Sequence, residues 1–382
     1  MEIPKAANNS VIIESVDVNS TRNTAETNGS LTSVTTARGG ELDRETTEIV
    51  IYALVVVVLP TLAGFGITGN VMSLCVLVRH GLDKSYNVLL VVLACSDSSF
   101  LLSMLCYGFT ASNGYRYLDQ KKSFYFLFFQ VLQVMDYAGA WTSFTMPLFI
   151  TAERILAVCF PLKMTRIVSP RRTFCIVAFV ALSLYCTMIY LTIISNSRFQ
   201  LYNSTFGNHS NSTTRELDII DLSKLRNTLD TTEAITEFSK FLFGPFPVSI
   251  VLVGCIVLVV KIKMATLKRN QMTSNVSKDS SVVRVTMTLL VVCFVYAVCS
   301  FVIFILHSNI FKDHYSGDSE EEQMVQIILG EVVNSVALIN CSVNFIIYVV
   351  MNRRFRYTYV QMFAPRCLAG SSGGSSASSA SS

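Results

Sequence analysis

The chain has 382 residues and a formal net charge of +4, and it is poor in charge for its length. Charged residues make up 15% of the sequence and apolar residues 51%, whereas soluble domains carry roughly 25% charged residues. The charges occur in short clusters with long uncharged runs between them. This pattern indicates an integral membrane protein. It argues against a soluble enzyme, a nucleic-acid-binding protein and a disordered scaffold.

Seven apolar stretches follow one another along the chain after a polar N-terminal tail. A helix needs about 20 apolar residues to cross the roughly 30 Å hydrocarbon core of a bilayer, and each stretch meets that length. The stretches lie at 48–79, 84–116, 123–154, 172–198, 240–261, 285–311 and 324–348. No internal repeat is visible. The sequence therefore predicts an all-α membrane protein built as a bundle of seven transmembrane helices over residues 48–352.

Two independent features predict how the bundle is oriented. Acceptors for N-glycosylation, which requires exposure outside the cytoplasm, occur in the N-terminal tail and between the fourth and fifth spans. These acceptors are Asn8, Asn19, Asn28, Asn203, Asn208 and Asn211. Basic residues concentrate in the loops on the opposite side, as the positive-inside rule requires. We expect a plasma-membrane protein with its N-terminus outside and its C-terminus in the cytoplasm.

Ionisable residues inside the predicted spans call for a specific explanation. On insertion scales, placing such a side chain at the middle of the bilayer costs a free energy of about 2.5–3.5 kcal/mol. Asp97 lies midway along the second span, where a polar contact between helices and a cation or proton site are both open interpretations. Asp136 lies within the third span. Glu153 and Arg154 end that span, and a solvated helix end is the simplest interpretation of such a pair.

The motifs in these spans resemble, in order, those of rhodopsin-like G-protein-coupled receptors. The segment ERILAVCFPLK is similar to the family's D/E-R-Y motif together with the Pro-Leu that follows it. Asp97 matches the second-helix aspartate, and NFIIY resembles the NPxxY motif. The matching positions are Asn70, Asp97, Glu153, Arg154, Pro161, Leu162, Asn344 and Tyr348. The resemblance extends over about 48–367.

The resemblance implies a receptor that opens its cytoplasmic face to a heterotrimeric G protein when a ligand binds outside. It assigns coupling to the D/E-R-Y and NPxxY positions Glu153, Arg154, Pro161, Leu162 and Tyr348. It also implies a sodium site formed by Asp97, Ser143, Asn340 and Asn344. No other cofactor is expected, and the remaining partners are membrane lipids and an extracellular peptide or small molecule. Neither enzymatic activity nor nucleic-acid binding is expected.

The resemblance also assigns a ligand cavity to Asp136, Tyr137, Glu331, Asn334 and Phe304. Amine receptors of the family pair an aspartate at the position of Asp136 with the ligand ammonium group, and peptide receptors can use it for a basic side chain. The sixth-helix tryptophan that helps to enclose amines is Ser300 here, which favours a cationic or amidated neuropeptide. The chain resembles invertebrate FMRFamide-like peptide receptors and molluscan chemosensory receptors. A chemosensory receptor, a biogenic-amine receptor and a non-signalling receptor-like scaffold are the alternatives.

Several positions depart from the family pattern. CSFV replaces CWxP in the sixth span, and Phe345 replaces the proline of NPxxY. Phe129 occupies the third-helix position of the usual extracellular disulfide, so no such disulfide is expected. Because proline kinks helices, we expect kinks in the first, third and fifth spans, at Pro60, Pro147, Pro245 and Pro247.

The two ends of the chain differ from the bundle in composition. Residues 1–47 predict a disordered, glycosylated extracellular tail. Residues 353–366 combine apolar side chains such as Phe355 and Phe363 with interspersed arginines, and they predict a short amphipathic helix on the inner membrane surface. Residues 367–382 predict a flexible Ser/Gly-rich cytoplasmic tail, with Cys367 as a lipidation candidate.

Overall fold

The computed structural model describes residues 44–112, 122–160, 168–207, 238, 245–272, 280–306 and 320–363. Within these ranges the chain is helical and contains no strand. Helix α1 comprises Arg44–Tyr52, the π-helical segment Ala53–Val58 and Leu59–Arg79. The helices that follow are α2 (Ser85–Ser112), α3 (Lys122–Cys159), α4 (Pro170–Gly207), α5 (Pro245–Met272), α6 (Ser280–Leu306), α7 (Glu320–Met351) and α8 (Arg353–Phe363).

Seven of these helices are long and apolar enough to cross a membrane. The spans are Glu45–Arg79, Ser85–Phe109, Gln130–Cys159, Pro170–Ile194, Pro245–Met264, Arg284–Leu306 and Met324–Met351. The predicted all-α bundle of seven membrane-spanning helices is confirmed. The short helix predicted at 353–366 is present as Arg353–Phe363.

Helix α3 occupies the centre of the bundle. It packs against α2, α4, α5 and α6, while α7 packs against α1, α2 and α6. The approach of α3 to α2 is close at Gly139, where an added Cβ would lie 2.9 Å from the backbone nitrogen of Phe100. A side chain at this position would therefore push the two helices apart. The close approach brings Ser143, one turn further along α3, next to α2.

The π-helical segment in α1 directly precedes Pro60. Proline lacks an N–H and its ring crowds the carbonyl four residues earlier, so the regular hydrogen-bond ladder cannot pass through it. The Leu59 N–H instead bonds to the Leu54 carbonyl five residues back. The helix therefore adjusts to Pro60 by a local change in winding.

Two further sets of prolines lie where the sequence predicts kinks. Pro147 lies inside α3. Pro245 and Pro247 are the first and third described residues of α5, and residues 239–244 before them lie outside the described residues. The kinks expected at these positions stay predictions.

A tight turn joins α1 to α2. Gly81 adopts a φ of 83°, a conformation that side chains disfavour, and the Asn87 Nδ2 donates a hydrogen bond of 2.8 Å to the Gly81 carbonyl. This turn lies at the same end of the bundle as Arg154 and α8, which we call the Arg154 end. The opposite end, where α7 begins, carries Glu331 and is called the Glu331 end.

Helix α8 is fastened to the α1–α2 turn by His80. The His80 Nε2 and the Thr358 Oγ1 share a hydrogen bond of 2.8 Å, and the ring of Phe355 meets the imidazole edge to face. Partial burial, together with the nearby charges of Arg354 and Lys84, lowers the pKa of His80 below its usual value. The neutral imidazole is thus favoured in the contact that holds α8 against the bundle.

Candidate functional site

At the Arg154 end, Glu153 and Arg154 form a buried ion pair. The Arg154 Nε donates to Glu153 Oε2 at 2.5 Å, and Nη2 donates to Oε1 at 2.7 Å. Each residue is only 4% exposed. Two parallel charge-assisted hydrogen bonds of this kind are strong and directional. The pair therefore holds the arginine in one orientation inside the bundle.

An aromatic ring from α2 provides a second contact for Arg154. The guanidinium carbon lies 4.8 Å from the ring centre of Tyr86, a cation–π distance. Tyr86 is in the first turn of α2, and the sequence motifs gave no indication of it. Release of Arg154 would therefore require both its anionic and its aromatic contacts to change.

Tyr348, near the end of α7, is not in contact with Arg154 through a hydrogen bond. It is buried, its ring centre lies 5.6 Å from that of Phe355, and its hydroxyl has no hydrogen-bond partner among the described residues. A buried hydroxyl without a partner gains free energy from any rearrangement that supplies one. Pro161 and Leu162 lie outside the described residues.

In the middle of the bundle, Asp97 is fully buried and accepts hydrogen bonds from two helices. The Ser143 Oγ of α3 donates to Oδ1, and the Asn344 Nδ2 of α7 donates to Oδ2 at 2.9 Å. Three of the four residues predicted for a sodium site thus meet, and we call them the Asp97 cluster: Asp97, Ser143 and Asn344. Asn340 is also buried but donates no hydrogen bond to Asp97.

Cys341 extends the Asp97 cluster towards α1, and sequence analysis missed it. Its Sγ lies 3.8 Å from the Ser143 Oγ, and its carbonyl accepts a hydrogen bond of 3.1 Å from the Asn70 Nδ2. Asn70 therefore ties α1 to the backbone of α7 instead of bonding to the carboxylate. Cys341 and Asn344 are three residues apart on α7 and so lie on the same side of the helix. This spacing is the one sequence feature that could have indicated Cys341.

Towards the Glu331 end, Asp136 and Glu331 place two carboxyl groups in the same region. Asp136 on α3 is half-buried and accepts no hydrogen bond from the part of the chain that the structure describes. The negative charge of Glu331 on α7 acts electrostatically on Asp136. The Asn334 Nδ2 donates to Glu331 Oε2 at 3.1 Å. Among the predicted ligand-binding residues, these three are therefore linked, by one hydrogen bond and one electrostatic interaction.

The other two predicted ligand-binding residues are less closely involved. Tyr137 follows Asp136 and is half-buried. Phe304 on α6 is 55% exposed and makes no ring contact with another described residue.

Comparison with known protein families decides the class of this molecule. The sequence profile of the 7 transmembrane receptor (rhodopsin family) matches residues 69–348, more than half of the chain. The chain belongs to this family. The match includes Asn70, Asp97, Glu153, Arg154 and Tyr348, the positions on which the resemblance was based. No curated protein matches the chain.

Membership in the rhodopsin family establishes the general activity. The protein is a multi-pass membrane receptor of the class that signals through G proteins, and this class does not consist of enzymes. Among the described residues, no group of three or more His, Cys, Asp or Glu side chains could hold a metal ion. The cysteines of the described ranges are free thiols.

The predicted modification sites fall mainly outside the described residues. These are the glycosylation acceptors Asn8, Asn19, Asn28, Asn208 and Asn211 and the lipidation candidate Cys367. Asn203 lies near the end of α4.

Proposed function

We propose that this receptor is activated by an extracellular cationic ligand, most simply a basic or amidated peptide, whose positive group pairs with Asp136. The observation that carries the proposal is the half-buried Asp136 carboxyl, which lies within a membrane span and has no hydrogen-bond donor among the described residues. A carboxylate in such a place is costly unless a cation or a donor accompanies it. A ligand cation would supply that partner.

Glu331 supports a cation over a neutral ligand. Two carboxyl groups that repel each other in the free receptor attract a positive group placed between them. The cost of keeping the two charges together is relieved when the cation enters. Asn334, through its hydrogen bond, orients Glu331 for this role.

On the opposite side of the bundle, the proposed response is the release of Arg154 from Glu153 and Tyr86. The released guanidinium would contact the G protein and gain Tyr348 as a neighbour, since the Tyr348 hydroxyl has no partner in the present arrangement. A ligand shifts this equilibrium only by the difference in its affinity for the two packings. About 1.4 kcal/mol of differential binding suffices for a tenfold shift.

The Asp97 cluster is proposed to bind sodium and to favour the packing in which Arg154 is held. A carboxylate, a hydroxyl and an amide offer the oxygen ligands that small hard cations prefer. Asp97, Ser143 and Asn344 come from three different helices, so an ion bound there would tie these helices together.

We further propose that the receptor resides in the plasma membrane with the Glu331 end outside and the Arg154 end in the cytoplasm. The glycosylation acceptors of the N-terminal tail and the basic loops at the Arg154 end support this orientation. Removal of glycans from intact cells with an amidase, followed by a mobility measurement, would test it.

The proposed function is tested by expressing the full chain with a promiscuous G-protein reporter. Amidated basic peptides, biogenic amines and small odorants are screened in parallel. We expect a dose-dependent response to a cationic peptide that disappears in Arg154→Ala, while the matched control Arg171→Ala, at an exposed position of α4, still responds.

The other outcomes separate the alternatives. A response to amines or odorants alone would overturn the peptide assignment. A response that persists in Arg154→Ala would overturn the coupling role of Arg154. Silence to every class, with surface expression confirmed, would favour a non-signalling receptor-like scaffold.

A further inference from the structure

A groove runs along the surface of the bundle between α3 and α5, separate from the sites described above. It has a volume of about 330 Å³ and lies within two of the membrane spans, Gln130–Cys159 and Pro245–Met264. Val253 and Ile250, which both line it, are 62% and 40% exposed. The groove therefore opens towards the bilayer. Its lining residues are Ile155, Ser249, Ile250, Val253, Gly254 and Val257.

Helix α5 approaches α3 closely beside the groove, at Gly254. A Cβ added to Gly254 would collide with the Thr151 Cγ2 and would lie 3.3 Å from the Ile155 Cδ1. A side chain at this position would therefore push α5 away from α3. Because Ile155 and Gly254 both line the groove, its shape depends on this contact between the two helices.

The lining of the groove suits a hydrocarbon chain. Ser249 has the one polar side chain in the lining, and its hydroxyl already donates a hydrogen bond of 2.8 Å to the Pro245 carbonyl. Unfilled space deprives the surrounding atoms of van der Waals contacts, on which packing in lipid depends. The volume of about 330 Å³ is at the lower end of the roughly 300–1,000 Å³ of sites that enclose small molecules. The groove therefore suits one acyl chain better than a whole lipid.

Lys261 continues the line of the groove towards the Arg154 end. With 3.6 residues per turn, positions 250, 254, 257 and 261 follow one side of α5. Lys261 lies about 10 Å beyond Gly254 along the helix. It is exposed and has no ion pair or hydrogen bond with another described residue. Since a lysine near the end of a span extends its ammonium group to the headgroup region, Lys261 is available to a lipid whose chain lies in the groove.

We propose that the groove binds one acyl chain of an anionic phospholipid whose headgroup pairs with Lys261. The walls of the groove hold the chain through van der Waals contacts, which any lipid can make, and Lys261 selects the negatively charged headgroup. In the orientation proposed above, this end of the bundle faces the cytoplasmic leaflet, which contains the anionic lipids. Binding itself requires neither a receptor ligand nor a G protein.

The lipid is tested by photo-cross-linking on the full receptor in phosphatidylcholine vesicles. The vesicles contain a small fraction of phosphatidylserine with a diazirine on one acyl chain, and labelled peptides are mapped by mass spectrometry. We expect label on the peptides that contain Ile155 and Val253. One lysine near the membrane surface contributes about 1 kcal/mol, so unlabelled phosphatidylserine should compete about fivefold better than phosphatidylcholine. Equal competition by the two lipids would indicate ordinary contact with the bilayer and would overturn the proposal.

Two pairs of variants separate the headgroup contact from the groove. Lys261→Gln should reduce labelling about fivefold, whereas Lys263→Gln, an exposed lysine about 200° further around α5, should leave it unchanged. Val253→Trp should fill the groove and abolish labelling. Leu252→Trp, at the neighbouring exposed position that does not line the groove, should retain it.

Three results would overturn the proposal at this stage. Equal losses in Lys261→Gln and Lys263→Gln would indicate a general effect of charge. Labelling that persists in Val253→Trp would place the chain elsewhere. Labelling that falls as the receptor density in the vesicles increases would show that a second copy of the receptor covers the groove. If Val253→Trp fails to fold, the two lysine variants decide.

Discussion

Asp97 and Asp136 are both aspartates inside membrane spans, yet the bundle treats them in opposite ways. Asp97 is fully buried and accepts hydrogen bonds from Ser143 and Asn344. Asp136 is half-buried, accepts none from the described residues and has Glu331 as a charged neighbour. The protein therefore satisfies one carboxyl group internally, whereas the other has no donor among the described residues, which is what the proposed binding of an external cation requires. The hydrogen-bond partners of an acidic residue in a span thus indicate whether it can be assigned a structural role or proposed as a ligand contact.

The largest effect that this comparison predicts is at Asp136. Asp136→Ala removes the proposed ligand counter-ion but leaves no protein donor unpaired, so surface expression should persist while potency of the cationic ligand falls more than 100-fold. Losing one partner of a buried charge pair costs about 2–5 kcal/mol, which is consistent with that loss. Dose–response curves at matched surface expression measure it.

Asp136→Asn serves as the matched variant because it keeps the shape and removes the charge. It should lose nearly as much potency as Asp136→Ala. Wild-type potency in Asp136→Asn would show that the ligand does not need the negative charge of Asp136. Asp136 would then not be a ligand counter-ion, and its proposed difference in role from Asp97 would be wrong.

A second, smaller effect is expected at Glu153, which like Asp97 is satisfied within the protein. Glu153→Gln weakens two charge-assisted hydrogen bonds to Arg154, each of which contributes about 1.5–3 kcal/mol. Basal G-protein activation should rise about tenfold, corresponding to about 1.4 kcal/mol. Tyr86→Leu, which removes the cation–π contact of Arg154 but neither of its hydrogen bonds to Glu153, should raise it less. Equal or lower basal activity in Glu153→Gln would contradict a restraining role for the ion pair.

The third expected effect concerns sodium at Asp97. Asp97→Asn keeps an acceptor for Ser143, and rotation of the Asn344 amide would restore the second hydrogen bond, so the fold should survive. Without the carboxylate charge, sodium should lose its influence on agonist affinity, and we expect a change of about fivefold between sodium and a large organic cation to vanish. Competition binding in the two salts measures this.

Asn340 provides the control for the sodium experiment. The family resemblance placed it in the sodium site, but it makes no hydrogen bond to Asp97 among the described residues. Asn340→Ala should therefore keep the sodium dependence that Asp97→Asn loses. Loss of sodium dependence in both variants would restore Asn340 to the site.

The sequence predicted the helices more completely than their contacts. The length of the uncharged runs determined seven spans, because every backbone polar group in lipid must be bonded within a helix. The meeting of Asp97 with Ser143 and Asn344 followed from family motifs. The contacts of Arg154 with Tyr86 and of His80 with Thr358 did not, since they join residues on different helices and depend on how each helix is rotated.

Pro60 shows the same limit on a smaller scale. Its chemistry predicts that the helical hydrogen-bond ladder is disturbed near this residue. The form of the disturbance, a π-helical segment over Ala53–Val58 with the Leu59 N–H bonded to the Leu54 carbonyl, depends on how the rest of the helix packs, and the sequence gave no indication of it.

The smallest expected effect is at Glu331, which is intermediate between the two aspartates. It has one internal partner, Asn334, and it repels Asp136. Glu331→Gln keeps the hydrogen bond and removes the charge, so the potency of a cationic ligand should fall about threefold, in line with the 0.2–1 kcal/mol of an incompletely buried ion pair. In a double-mutant cycle, the effect of Glu331→Gln should disappear when Asp136 is already Asn, because both carboxylates act on one ligand cation. Additive losses would mean that the two acids bind different groups, and Glu331 would then belong with the internally satisfied residues, as Asp97 does.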